Sequence, residues 1–304
     1  MRISAALIVV TLLAALHGSA ARPAAQAAQN APLRIIAFGA HPDDNELRIA
    51  GTAAKWAALG HQVKFVAMTN GDIGHWRDAG GPLARRRLEE SQATAKILGI
   101  TTQVLDIHDG ELEPTLENRR TITRLIRDWK ADIVLGHRPN DYHPDHRAVG
   151  QLIQDSSYMV TVPFFAPDTP PLPRNPVFLS YEDNFTRPNP FQADVAVSID
   201  DVIEKKLAAV EALPSQFYEG GANGGPQLLP ADEAGKAKRK AEVRESFSRR
   251  FAASATRHRA KLRELYGAER GDKVTSAEAF EISEYGRRPN AEEIKRLFPF
   301  FAAK

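Results

Sequence analysis

The stretch Arg34-Ile35-Ile36-Ala37-Phe38-Gly39-Ala40-His41-Pro42-Asp43-Asp44-Asn45-Glu46 decides the fold. Its first six residues form a short apolar run that reads as a buried strand. A polar turn follows, and then a helical pattern over about Leu47 to Leu59. The same alternation continues outward. Val63 to Met68 is a second strand, ending in Thr69-Asn70-Gly71-Asp72. Leu83 to Leu98 is a helix closed by Gly99 as a C-cap. Gln103 to Ile107 is a third strand, Leu116 to Lys130 a helix, and Asp132 to Gly136 a fourth strand. Strands alternating with helices predict an α/β, Rossmann-like fold: a mostly parallel sheet with helices on both faces.

Beyond residue 160 the pattern loosens. Val177 to Tyr181 and Val195 to Ile199 are further strand candidates, and Asp201 to Leu213 a helix. Gly220 to Pro230 is glycine-rich, and Ala237 to Tyr266 predicts one long helix with an apolar stripe through Val243, Phe247, Phe251 and Ala255. At the other end, Arg2 precedes an apolar run over Ile3 to Leu16, with small residues after it. That is the pattern of a secretory signal, and the run is short for a bilayer span. The expected organisation is a signal peptide over 1–21, a disordered linker over 22–32, and a catalytic α/β domain over 33–218. Residues 219–304 are expected to form a glycine-rich loop and a helical C-terminal extension packed on the same domain. The expected localisation is secreted or periplasmic, with no stable membrane insertion after signal removal.

Composition narrows the chemistry. The 304 residues contain no cysteine, which excludes disulfides, thiolate metal sites and cysteine nucleophiles. A formal net charge of +2 gives no field suited to nucleic acid. The basic run from Lys236 to Lys240 is interleaved with glutamates and reads as a solvated helix face.

In an open parallel sheet, ligands bind outside the carboxyl ends of the strands. Two polar clusters fall there. One is Ala40 to Glu46; the other is His137-Arg138-Pro139-Asn140-Asp141-Tyr142-His143-Pro144-Asp145-His146. Either alone could be a solvated turn, because Pro, Asp and Asn are turn formers. Two His-Pro-Asp clusters at two strand ends point to a metal site. Zinc in a catalytic site takes about three protein ligands and keeps an open position. His41 and Asp44 lie in one tight turn, and His146 can close the set from the second loop. Asp43 is then free to act as a base, His143 to stabilise an oxyanion or protonate a leaving amine, and Asp145 to orient a histidine. His137, at a strand end, is placed to support the ligands. His75 and Trp76 are candidates for the pocket border.

The pattern Ala-His-Pro-Asp-Asp-x-Glu followed by His-Pro-Asp-His resembles the PIG-L/LmbE family of zinc-dependent N-acetylglucosaminyl deacetylases. The resemblance covers about Arg34 to Gln216. It implies a Rossmann-like fold and hydrolysis of an N-acetyl group from an N-acetylated amino sugar or glycoconjugate. It implies one Zn2+ per chain, or another divalent metal in its place, on His41, Asp44 and His146. Asp43 matches the general base, His143 the histidine that stabilises the tetrahedral intermediate, and Asp145 its partner. Arg87, ahead of Glu90, matches an arginine that contacts substrate, and Asp109 a carboxylate that binds sugar hydroxyls. Tyr142 is expected to line the pocket. Leu213 departs from the pattern, standing where many members carry histidine. Two other classes fit parts of the chain. One is a different mononuclear metallohydrolase, an amidase or phosphoesterase. The other is a catalytically silent sugar-binding protein, which would be expected to lack Asp43 or His143.

Overall fold

A computed structural model describes residues 31–301 of the chain. The expected signal peptide and nearly all of the expected linker lie outside the described residues. From Leu33 onward the chain forms one compact unit.

The first strand, β1 (Arg34–Gly39), is buried on both faces because its side chains alternate between two cores. Ile35 and Ala37 pack on one face with Ile49, Ala53 and Trp56. Ile36 and Phe38 pack on the other with Ile122, Ile126, Val149 and Leu152. That period of two is what places helices on both sides. The partners of these strand residues come from α1 (Asp44–Ala58) on one face, and from α3 (Leu116–Trp129) and α4 (Pro144–Met159) on the other. Strand β2 (Gln62–Ala67) and strand β4 (Ile133–Gly136) flank β1 in parallel. Helix α2 (Gly80–Leu98) leads to β3 (Thr101–Val104), which extends the sheet beyond β2. Strand β5 (Val177–Tyr181) runs parallel to β4 on the other side.

Strand β6 (Val195–Ser198) does not join β5 directly. Strand β7 (Ala277–Gly286) lies between them, antiparallel to both, so the seven-stranded order is β3-β2-β1-β4-β5-β7-β6. The segment 219–304, expected as a glycine-rich loop and helical extension, carries helices and also supplies an internal strand. Two helices after β6, α5 (Ile203–Glu211) and the short α6 (Pro214–Phe217), precede the glycine-rich loop. The expected single helix over Ala237 to Tyr266 is two, α7 (Glu233–Arg257) and α8 (Arg259–Tyr266), which meet at His258. Two more short helices, α9 (Ala268–Lys273) and α10 (Ala291–Leu297), flank β7 in the chain. No helix among the described residues is long and apolar enough to cross a membrane.

Glu278 of β7 makes an unusual tie. Its two carboxylate oxygens accept from the backbone N–H groups of Gly51 and Thr52 in α1, at 2.8 and 2.7 Å. Lys206 of α5 lies 2.5 Å from the same carboxylate and also donates to the carbonyl of Leu47 at 2.9 Å. Both side chains of the pair are almost fully buried. Breaking a buried pair leaves an uncompensated charge, so Lys206→Met is expected to cost about 3–5 kcal/mol. Adding Glu278→Gln should recover much of that loss. Urea unfolding of the two variants checks it; equal stability of Lys206→Met and the native protein would refute the tie.

Glu182, just past β5, fastens α7 to the sheet. Its carboxylate receives Ser254 Oγ at 2.6 Å, lies 2.9 Å from His258 Nε2, and meets Arg257. Burial pushes this carboxyl upward, but His258, Ser254 and Arg257 overcome it and hold it at about 2. A depressed carboxyl stabilises the fold above its unfolded value of about 4.5, and that contribution disappears as pH falls through about 2. Glu182→Gln should therefore lose about 3 kcal/mol at pH 7 and little at pH 2, measured by unfolding across that window.

Candidate metal centre

The chain leaves β1 towards β2 and β3, and the later strand β4 joins β1 on its opposite side. That reversal opens a crevice beyond the strand ends. The loops after β1 and β4 face each other across it. Gly39 is required at the first of them: a Cβ there would stand 2.8 Å from the Asp44 Cβ. The second loop turns directly into α4. His143 is its N-cap, with Nδ1 accepting from the Asp145 amide at 3.2 Å, and Pro144 occupies the first turn. His146 is thus carried in the first turn of a helix.

Asp44 folds back on its own loop. Its Oδ2 accepts from the His41 amide at 2.8 Å. His41 Nδ1 lies 3.5 Å from Asp44 Oδ2, His146 Nε2 lies 3.3 Å from Asp44 Oδ1, and the two ring nitrogens are 3.3 Å apart. Ligands about 2.0–2.1 Å from a tetrahedral zinc stand about 3.3–3.4 Å from one another. The two ring nitrogens match that spacing, Asp44 meets His41 through Oδ2 and His146 through Oδ1, and all three residues are buried.

The outer nitrogens settle which lone pairs face inward. His146 Nδ1 lies 3.0 Å from Asp141 Oδ1. His41 Nε2 lies 3.0 Å from Asp109 Oδ1 and 3.3 Å from Asp145 Oδ2. Each ring can therefore donate its outer N–H to a carboxylate and present a bare nitrogen to the centre, the arrangement typical of metal-ligating histidine. Burial opposes charge on these rings, yet Asp109, Asp145 and Asp44 raise His41 well above an ordinary histidine. Asp44 and Asp141 likewise carry His146 up to about 9. So much negative charge around two imidazoles suits a divalent cation.

His137 stacks on His146 at 4.1 Å between ring centroids, with Nε2 3.3 Å from Asp44 Oδ2. Burial drives it down to about 4, so it is neutral at pH 7. Asp43 is ion-paired with Arg87, its Oδ1 3.5 Å from Arg87 Nη2, and its carboxylate lies near His41 and Asp44. Burial raises its pKa, and the neighbouring Asp44 adds to that against the pull of Arg87. His143 is half-buried, its ring centroid 4.5 Å from that of His41. Burial first, then His41 and His146, lower its pKa. Because Nδ1 accepts a backbone hydrogen bond, the neutral ring carries its proton on Nε2.

Three expected residues occupy different surroundings from those the sequence suggested. Arg87 is 1% exposed and clamps two loops, donating to the carbonyls of Gly71 and Pro42 at 3.2 Å each. Asp109 lies against His41 rather than open space. Asp145 hydrogen-bonds His143 only through its amide; its carboxylate accepts from the amides of Gly110 and Leu112 at 2.7 and 3.3 Å. Tyr142 is 71% exposed at the mouth, 5.8 Å from the His143 ring. Leu213 is fully buried and brings no polar group. Asp141 was not singled out from the sequence, although it lies in the same polar cluster, five residues before His146.

A separate trio, His75, Asp78 and Glu219, also has metal-like spacing. His75 Nδ1 is already taken by the amides of Arg77 and Asp78, at 3.2 and 3.0 Å, and Arg86 pairs with Glu219. That trio is a loop lock.

Residues 36–156 match the family model PIG-L, GlcNAc-PI de-N-acetylase. A diacetylchitobiose deacetylase of Thermococcus kodakarensis is 34% identical over 194 residues, 61% of this chain and 71% of that protein. A 4-oxalmesaconate hydratase of Pseudomonas putida is 25% identical over 191 residues, 60% of this chain and 74% of its own. The solved N,N'-diacetylchitobiose deacetylase of Pyrococcus horikoshii superposes with a TM-score of 0.63 at 24% identity, covering 82% of this chain and 83% of its own. The chain belongs to the PIG-L family of LmbE-like deacetylases, a class of metal-dependent enzymes acting on N-acetyl sugars.

Proposed function

We propose that this protein is a zinc-dependent hydrolase that removes the N-acetyl group from an N-acetylated amino sugar or glycoconjugate. His41, Asp44 and His146 hold the metal. The observation that carries the reading is the pair of imidazoles, each backed by a carboxylate, with inner nitrogens 3.3 Å apart beside Asp44. A bound divalent cation lowers the pKa of water and polarises a carbonyl. Asp43, free of the ligand set, takes the proton of the attacking water. The Nε2–H of His143 donates to the amide oxygen as charge develops on it. Asp141, Asp109 and Asp145 keep the ligand rings in one tautomer, and Arg87 holds the Asp43 loop in place. The carbon–nitrogen bond then breaks as protonated Asp43 or His143 delivers a proton to the leaving nitrogen, and the products are acetate and a free amine.

Acetate release from a panel of N-acetylated sugars, with and without chelator, tests this reading. Chelation should abolish turnover and added zinc should restore it. The hydratase relative sets the contrasting assay: addition of water to a carbon–carbon double bond, with no acetate formed, would replace the deacetylase reading. Acetate release unaffected by complete metal removal would refute the metal centre.

A further inference from the structure

A pocket of about 110 Å³ opens between α1, the segment after β5 and α7. Arg48 and Arg250 line it. Arg48 stands one helical turn beyond Asp44 on α1, about 6 Å along the axis. The segment after β5 also runs to Phe185, whose ring is 6.3 Å from that of Tyr142 at the mouth. Asp43 and Tyr142 both lie within electrostatic reach of Arg250.

The charges in this pocket do not balance locally. Lys206 is consumed by Glu278. Arg257 and His258 are consumed by Glu182. Asp183 is taken by Arg138 from outside the pocket, at 3.1 Å. Every carboxylate on the wall thus has a cation. Two guanidiniums are left over. Arg48 donates to the backbone carbonyl of Glu182 at 2.6 Å, and Arg250, an exposed residue of α7, lines the pocket from that helix. Among the described residues neither is in an ion pair with a carboxylate. The surrounding protein first, and the Arg48 cation second, disfavour the charge on Arg250. An oxyanion between the two would relieve both, and guanidinium groups match carboxylate and phosphate geometry.

We propose that this pocket is an anion subsite, in which Arg48 and Arg250 bind a carboxylate or phosphate carried by the N-acetylated sugar while its acetamide lies at the metal centre. The inference rests on the deacetylase reading and narrows its substrate class to anionic amino sugars. It also gives the C-terminal region a role at the site, since Arg250 belongs to α7.

The test compares kcat/KM for N-acetylglucosamine, N-acetylglucosamine 6-phosphate and N-acetylmuramic acid, so that phosphate and carboxylate are separate arms. The better anionic sugar should exceed the neutral one by roughly 10- to 100-fold, the scale of one or two charge-assisted hydrogen bonds. That ratio should fall towards one in Arg250→Gln and in Arg48→Gln. It should persist in Arg249→Gln, which removes the same charge from an exposed neighbour paired with Glu245. Equal ratios in the native protein and Arg250→Gln would overturn the subsite. Calorimetric binding of N-acetylglucosamine 6-phosphate separates the two readings. If no sugar is hydrolysed but binding still depends on Arg250, the deacetylase reading falls and the anion subsite stands. If that binding is absent, or is the same in Arg250→Gln, the subsite falls whatever the enzyme hydrolyses.

Discussion

Asp43→Asn is expected to keep its metal and lose roughly 10²- to 10⁴-fold in turnover, the usual worth of a positioned general base. The two neighbouring carboxylates have different partners. Asp44 lies within 3.3–3.5 Å of the inner nitrogens of His41 and His146, whereas the ion pair of Asp43 is with Arg87. The amide in Asp43→Asn preserves size but cannot accept a proton. Asp44→Asn should differ, because a neutral amide is a poorer zinc ligand and occupancy should fall with activity. Metal content and acetate release on the two variants decide it. If Asp43→Asn emptied the site while Asp44→Asn kept its metal, the two roles would be exchanged. If neither slowed the reaction, the hydrolase reading itself would fall.

His146→Ala is expected to lose the metal and all measurable turnover while the fold survives. The side chain sits at the first turn of α4, and the cores of the sheet are apolar and do not pass through it. The alanine also leaves Asp141 and Asp44 without a shared imidazole, so some stability will change, but the sheet has no need of the site to form. Circular dichroism should stay near native while metal analysis falls to background. Full zinc occupancy in this variant would refute His146 as a ligand.

Much of the sheet was legible because buried parallel strands are continuous apolar runs. Strands β1, β2 and β4 fall where the runs of Ile, Val, Phe and Leu put them. Strand β3 begins earlier than expected, at Thr101 rather than Gln103, because this edge strand is only half-buried and has no clean apolar face. Helix α4 was hidden by Pro144, which suggests a turn in a polar run yet is at home in a first helical turn. Strand β7 went unread, and its charges at Glu278, Glu281 and Glu284 are spaced like those of a helix face. At the site, the meeting of His41, Asp44 and His146 followed from motif and topology together. The destinations of Asp109, Asp141 and Asp145 did not. They depend on which way a carboxylate turns inside a loop, and nothing in residue spacing encodes that.

The tie through Glu278 also governs the order in which the molecule can be completed. Glu278 reaches back 227 residues to Gly51 and 72 to Lys206. A nascent chain that has not yet reached residue 278 has an ammonium destined for an apolar interior with no counter-charge. It also has a β5 edge with nothing to pair against. Contacts so distant in sequence form late and slowly. The helix that begins at Asp44, and with it the loop that carries His41, is therefore expected to settle only when almost the whole chain has been made. Shortening this protein from its C-terminus should abolish the native fold well before it reaches any residue of the metal centre.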